Sequence, residues 1–95
     1  MNEHAIRQSD NGFYIESENG ERSAEITFAY RDENVIEVDH TFVDPSLRGQ
    51  GVAGKLLNKV VEYARDMNKK IIPVCSYAQA KMLGNKEYED VLAEQ

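Results

Sequence analysis

Val43-Asp44-Pro45-Ser46-Leu47-Arg48-Gly49-Gln50-Gly51-Val52-Ala53-Gly54-Lys55-Leu56 is the stretch on which the fold turns. Before Asp44-Pro45 the apolar residues recur every second position, and after Gly51 they recur every three to four, so the stretch joins a strand to a helix. Its small residues leave the backbone at the helix start uncovered. Open N–H groups there, with the positive end of the helix dipole behind them, make a seat for a phosphate or pyrophosphate. Gly49 and Gly51 permit close approach and unusual φ, and small Ala53 lets a ligand lie near the first helical turn.

Upstream, the chain reads as an antiparallel meander. Asp10-Asn11-Gly12 and Asn19-Gly20 are turn pairs, since Asn and Gly tolerate the positive φ of tight hairpins. Residues 13–17 form a short strand. In residues 23–31, Ala24, Ile26, Phe28 and Tyr30 share one face, with Glu25, Thr27 and Arg31 on the other. After a turn at Asp32-Glu33-Asn34, alternation over residues 35–43 places His40 in an apolar row with Ile36, Val38 and Phe42, and puts Glu37, Asp39 and Thr41 opposite. Residues 4–8 add a weak edge strand.

Downstream, Val52, Leu56, Val60, Ala64 and Met67, flanked by Ala53, Leu57 and Val61, predict an amphipathic helix over residues 51–67, about four turns long. Lys69-Lys70 is a polar break. Residues 71–75 are β-branched and apolar, fitting a buried strand reached by a parallel crossover. Pro73 removes a ladder donor, which points to an edge or a splayed neighbour there. Residues 77–83 and 86–92 read as two short helices separated by Gly84-Asn85. The expected fold class is α+β: an antiparallel meander followed by a helix and a parallel strand, with short C-terminal helices, in a single domain over residues 1–95.

Composition narrows the function. Ninety-five residues, 41% of them hydrophobic, supply one core. Seventeen acidic against eleven basic residues, net -6, argue against a nucleic-acid or membrane-surface partner, and no apolar run approaches the roughly 20 residues of a membrane helix. The lone Cys75 and an N-terminus without a basic-then-apolar segment suggest a reducing, cytoplasmic setting. The charge is uneven: residues 1–47 balance to -8, residues 48–86 to +6 and the last nine to -4. A basic middle in an acidic chain suits a local anionic ligand.

Neighbouring motifs fail on inspection. Leu56 stands where a Walker loop needs a hydroxyl for magnesium, and the literal Gly-x-Gly-x-x-Gly of Gly49, Gly51 and Gly54 follows an antiparallel meander instead of opening a repeating parallel sheet. One cysteine and the distant His4 and His40 give no metal-ligand spacing.

The segment from Arg48 to Ala53 resembles the acyl-CoA-binding signature of the GNAT acetyltransferases, Arg/Gln-x-x-Gly-x-Gly/Ala, extended by Val43-x-Pro45 before it and Leu56 after it. More narrowly, His40-Thr41-x-Val43, Pro45, the glycine loop, Pro73-x-Cys75-Ser76-Tyr77 and Glu87-Tyr88 resemble the very small GNAT-like N-acetyltransferase domain proteins over residues 13–92. Lys86 departs from them, standing where many have proline.

That resemblance implies a minimal GNAT-like fold and an acetyl-CoA-dependent N-acetyltransferase acting on an amine, either a small molecule or a lysine side chain. It implies that acetyl-CoA or CoA is held with its pyrophosphate on the backbone donors of Arg48, Gly49, Gln50, Gly51, Val52 and Ala53. Thr41, Phe42 and Val43 would line the pantetheine arm, pairing with its amides as with another strand, and Lys55 or Lys81 would meet the adenosine phosphate. Among candidate catalytic groups, His40 exchanges a proton near neutral pH and lies on the ligand strand. Cys75 would accept acetyl in a two-step route with His40 as its base, and Tyr77 or Tyr88 would protonate the departing thiolate. Larger GNAT enzymes wall in the acceptor with helices after the first strand and a C-terminal strand pair, both missing here. The alternative is therefore a CoA-binding regulatory module with little turnover.

Overall fold

The structure is a computed structural model that describes residues 5–93. Five strands form one sheet in chain order: β1 (Arg7–Ser9), β2 (Gly12–Glu16), β3 (Arg22–Asp32), β4 (Val35–Val43) and β5 (Lys70–Pro73). The first four pair antiparallel, and β5 joins β4 in parallel after the crossover helix α1 (Val52–Asp66). A shorter helix, α2 (Ser76–Met82), follows β5. The edge strand expected over residues 4–8 overlaps β1 only at Arg7 and Gln8, since β1 starts at Arg7 and ends one residue further on, and residue 4 lies outside the described residues. Among the described residues no helix is long and apolar enough to cross a membrane.

The amphipathic stripe of α1 explains the layering. Val52, Leu56, Leu57, Val60, Val61 and Ala64 are buried in one cluster with Ile15, Ile26, Phe28, Ile36, Val38 and Ile71 from the sheet, and Ala78 and Met82 extend that cluster from α2. Each large side chain buried in this way contributes roughly 1.5–3 kcal/mol. The opposite face of the sheet stays open to solvent and carries Glu25, Thr27, Arg31 and Glu37. At the far end of α1, the Tyr30 and Tyr63 hydroxyls share a 2.8 Å hydrogen bond, and that bond, followed by burial, pushes the Tyr63 phenol up to about 12.

One irregularity corrects the strand reading. In the β3–β4 ladder Thr27 faces His40 while Phe28 faces Val38, so Asp39 is an extra residue, a bulge in β4. An inserted residue reverses the parity of everything after it. Ile36 and Val38 point into the core as expected, but Thr41 and Val43 now pair with Ile26 and Ala24 on the inner face. His40 and Phe42 are turned outward opposite Thr27 and Glu25, so His40 is exposed and does not share the row of Ile36 and Val38. Asp39 is on the same outer side, where its Oδ1 accepts from Thr27 Oγ1 at 2.7 Å.

The C-terminal reading also changes. In place of a helix over residues 86–92 there is a single 3-10 turn, Lys86–Tyr88, after which Leu92 bridges Ile71 in parallel. Ile71 N–H donates to Val91 O at 2.6 Å and Ala93 N–H to Ile71 O at 2.9 Å, so the open edge of β5 outcompetes the short helix for backbone groups. Arg65 holds the segment in place, its Nε and Nη2 each donating at 2.9 Å to the Asp90 carboxylate, which those bonds keep below the usual carboxylate range.

Candidate functional site

The loop between β4 and α1 is built to leave donors unused. Asp44 Oδ2 accepts from Ser46 N–H at 2.9 Å and from Ser46 Oγ at 2.6 Å, closing the 3-10 turn Pro45–Leu47 and lowering the Asp44 carboxyl below its ordinary range. Buried Leu47 anchors the turn, and Arg48 Nε donates to Val43 O at 3.3 Å. The chain then passes through Gly49 at φ 84° and Gly51 at φ 73°, left-handed conformations that favour glycine. Gly51 is the N-cap of α1 and has no side chain to cap with.

The first bond of the helix runs from Lys55 N–H to Gly51 O at 3.1 Å. Among the described residues, the N–H groups of Gly49, Gly51, Val52, Ala53 and Gly54 therefore have no protein acceptor. They border a hollow of about 310 Å³ whose other walls include Val43, Arg48, Tyr77 and Lys81. The positive end of the α1 dipole, Arg48, Lys81 and a fan of free amides together suit a diphosphate. Lys55 is exposed and does not line the hollow, whereas Lys81 does.

Beside this hollow, which Val43 borders, the ends of β4 and β5 part and leave a cleft between them. Pairing with β5 extends from Val35 opposite Lys70 to Val38 opposite Pro73 and then stops. Pro73 has no N–H to give, and Val38 O collects both Val74 N–H at 2.9 Å and Cys75 N–H at 3.0 Å as the chain swings away into α2. The splay expected at Pro73 is thus observed, on the edge strand. Asp44 N–H donates to Ser23 O at 2.8 Å, so by alternation the main-chain groups of Thr41 and Val43 point away from β3, into the cleft. Because the bulge adds no rise, Val43 and Val38 are separated by roughly four strand steps, about 13 Å.

The structure gathers some candidate side chains and separates others. Cys75 is half-buried and caps α2, its Sγ accepting from Ala78 N–H at 3.5 Å and lying 3.5 Å from Thr41 Oγ1 across the cleft. Tyr77 is half-buried with its hydroxyl beside Gly54, lining the hollow, and burial pushes its phenol up. His40 is on the other side of β4 from Thr41 and Cys75, because the bulge turned it outward. The pairing of His40 with Cys75 expected for a thiolate route is therefore not formed. His40 Nε2 lies instead 3.8 Å from Glu25 Oε2, while Arg22 Nη1 holds Glu25 Oε1 at 3.2 Å. Glu25 was not a candidate from the sequence, since its neighbour across the sheet depends on a register that only the bulge fixes.

A family profile described as GCN5-related N-acetyl-transferase matches residues 12–91. An uncharacterized N-acetyltransferase of Methanocaldococcus jannaschii is 30% identical over 76 residues, a match covering 70% of this chain and 32% of that protein. The chain spans about a third of the length of the curated relatives it matches. The solution structure of a GCN5-like protein from Staphylococcus aureus is 45% identical with a TM-score of 0.80, covering 100% of this chain and 93% of that one. A GNAT-family N-acetyltransferase from Escherichia coli, crystallised in complex with CoA, shares the fold at a TM-score of 0.62 and 18% identity, covering 77% of this chain and 44% of that one.

Proposed function

This chain belongs to the GCN5-related N-acetyltransferase family, and we propose that it binds acetyl-CoA along the α1 loop and the β4–β5 cleft and transfers the acetyl group to a primary amine. The observation that carries the reading is the row of unbonded amides at Gly49, Gly51, Val52, Ala53 and Gly54, facing a hollow lined by Arg48 and Lys81. Those residues suit the diphosphate. The cleft groups of Thr41 and Val43 suit the pantetheine amides, which can add to β4 as a further strand, and Tyr77 and Lys81 close the phosphate end.

The chemistry needs an uncharged amine, a stabilised oxyanion and a fate for two protons. His40, exposed on the outer face of β4, takes one proton from the acceptor ammonium and later releases it to solvent. The amine nitrogen then attacks the thioester carbonyl carbon; the N–C bond forms, the C–S bond breaks, and the second N–H proton leaves with the CoA sulfur. A β4 main-chain N–H turned into the cleft supports the oxyanion. The direct route is the one proposed: among the described residues His40 faces away from Cys75, whose Sγ lies against Thr41 Oγ1.

A screen of small amines and lysine peptides with acetyl-CoA, read as free CoA thiol and acceptor mass, tests this. The expected result is acceptor-dependent thiol release that falls about 100-fold in His40→Ala at unchanged CoA affinity and recovers in part with added imidazole. Tight CoA binding with no transfer to any amine would instead identify a CoA-binding module, a reading to which the open outer face lends weight.

A further inference from the structure

We infer that Glu25 is a positioning residue that fixes the tautomer of His40, an assignment that rests on the function proposed above. The bulge at Asp39 places both side chains on the open face, with Nε2 of the imidazole 3.8 Å from Glu25 Oε2. An exposed ion pair at that distance carries little by itself. Glu25 differs from a loose surface carboxylate in how it is held. Its side chain is 25% exposed, it pairs across the sheet with Tyr14 on one side and Phe42 on the other, and Arg22 grips its second oxygen at 3.2 Å. Arg22 is itself seated on the Tyr14 ring, 4.0 Å from the centroid.

The chain Tyr14, Arg22, Glu25 therefore holds one carboxylate oxygen 3.8 Å from Nε2 of His40. Asp39, the residue before His40, is engaged elsewhere: its Oδ1 accepts from Thr27 Oγ1 at 2.7 Å. A carboxylate facing Nε2 keeps the proton of the neutral ring there, which leaves the Nδ1 lone pair to receive the acceptor's proton. This is the logic by which a buried carboxylate orients a catalytic histidine, transferred to a partly exposed strand pair. Adjacent strands, β3 and β4, supply the two groups.

The test uses Glu25→Gln in the full chain, with Glu25→Asp as the conservative companion. Ring nitrogen NMR shifts of the neutral imidazole are expected to show the Nε2–H form dominating in the parent and a mixed population in Glu25→Gln. The same variant is expected to lose about tenfold in kcat with KM for acetyl-CoA unchanged, and Glu25→Asp to recover part of both. An unchanged tautomer in Glu25→Gln overturns the proposal and leaves the acetyltransferase reading standing. A changed tautomer with parental kcat in both Glu25→Gln and His40→Ala overturns the base assignment, and the role of Glu25 with it.

Discussion

Gly12→Ala is expected to destabilise the chain by about 3 kcal/mol or more, the upper end of what overpacking does. A Cβ at Gly12 would lie 2.0 Å from Ile26 O and 3.0 Å from both Ile26 C and Thr27 Cα, all of them backbone atoms of β3. No side-chain rotation relieves such a clash. Relief requires β2 to lift from β3, which strains the Asn11 O to Phe28 N–H bond of 2.8 Å and uncovers Phe13 and Ile15. Denaturant unfolding of parent and variant measures the loss, and a change below about 0.5 kcal/mol contradicts the packing described for this hairpin.

Gly51→Glu is expected to abolish most CoA binding while leaving the fold intact. Gly51 sits at φ 73°, so any side chain there costs roughly 1–2 kcal/mol of backbone strain. A negative charge at a helix N-terminus returns part of that. No atom lies within 4 Å of a Cβ at this position, so nothing in the protein resists the substitution sterically. The carboxylate would occupy the space before the Val52, Ala53 and Gly54 amides and repel a diphosphate. A loss of about 100-fold in affinity, roughly 2.7 kcal/mol, is the expected calorimetric result. Affinity within threefold of the parent would place the diphosphate somewhere else.

Much of this arrangement is legible in the sequence because it rests on local rules. Gly49, Gly51 and the period change at Asp44-Pro45 announce a strand, an uncapped turn and a helix, and all three are where the residues place them. Pro73 likewise announces the end of pairing between β4 and β5. The bulge at Asp39 is different. Val35 to Val43 alternates well enough to be read as an unbroken pleat, and nothing in residues 38–40 marks the extra residue, whose cause is the register of β3 against β4. That one residue decides that His40 meets Glu25 and not Cys75. At the C-terminus, the spacing of Tyr88, Val91 and Leu92 suits a helix, but the unpaired edge at Ile71 is a competitor that local spacing does not reveal.

The claim beneath all of this is that free amides at the start of α1 and along the cleft edge of β4 receive a CoA thioester. A proton–nitrogen correlation titration of the chain with CoA addresses it directly. The largest shifts are expected at Gly49, Gly51, Val52, Ala53 and Gly54, with smaller ones at Thr41 and Val43 and none along β1. Saturating CoA that leaves those amides unmoved, or that shifts the open face of the sheet in their place, would contradict it.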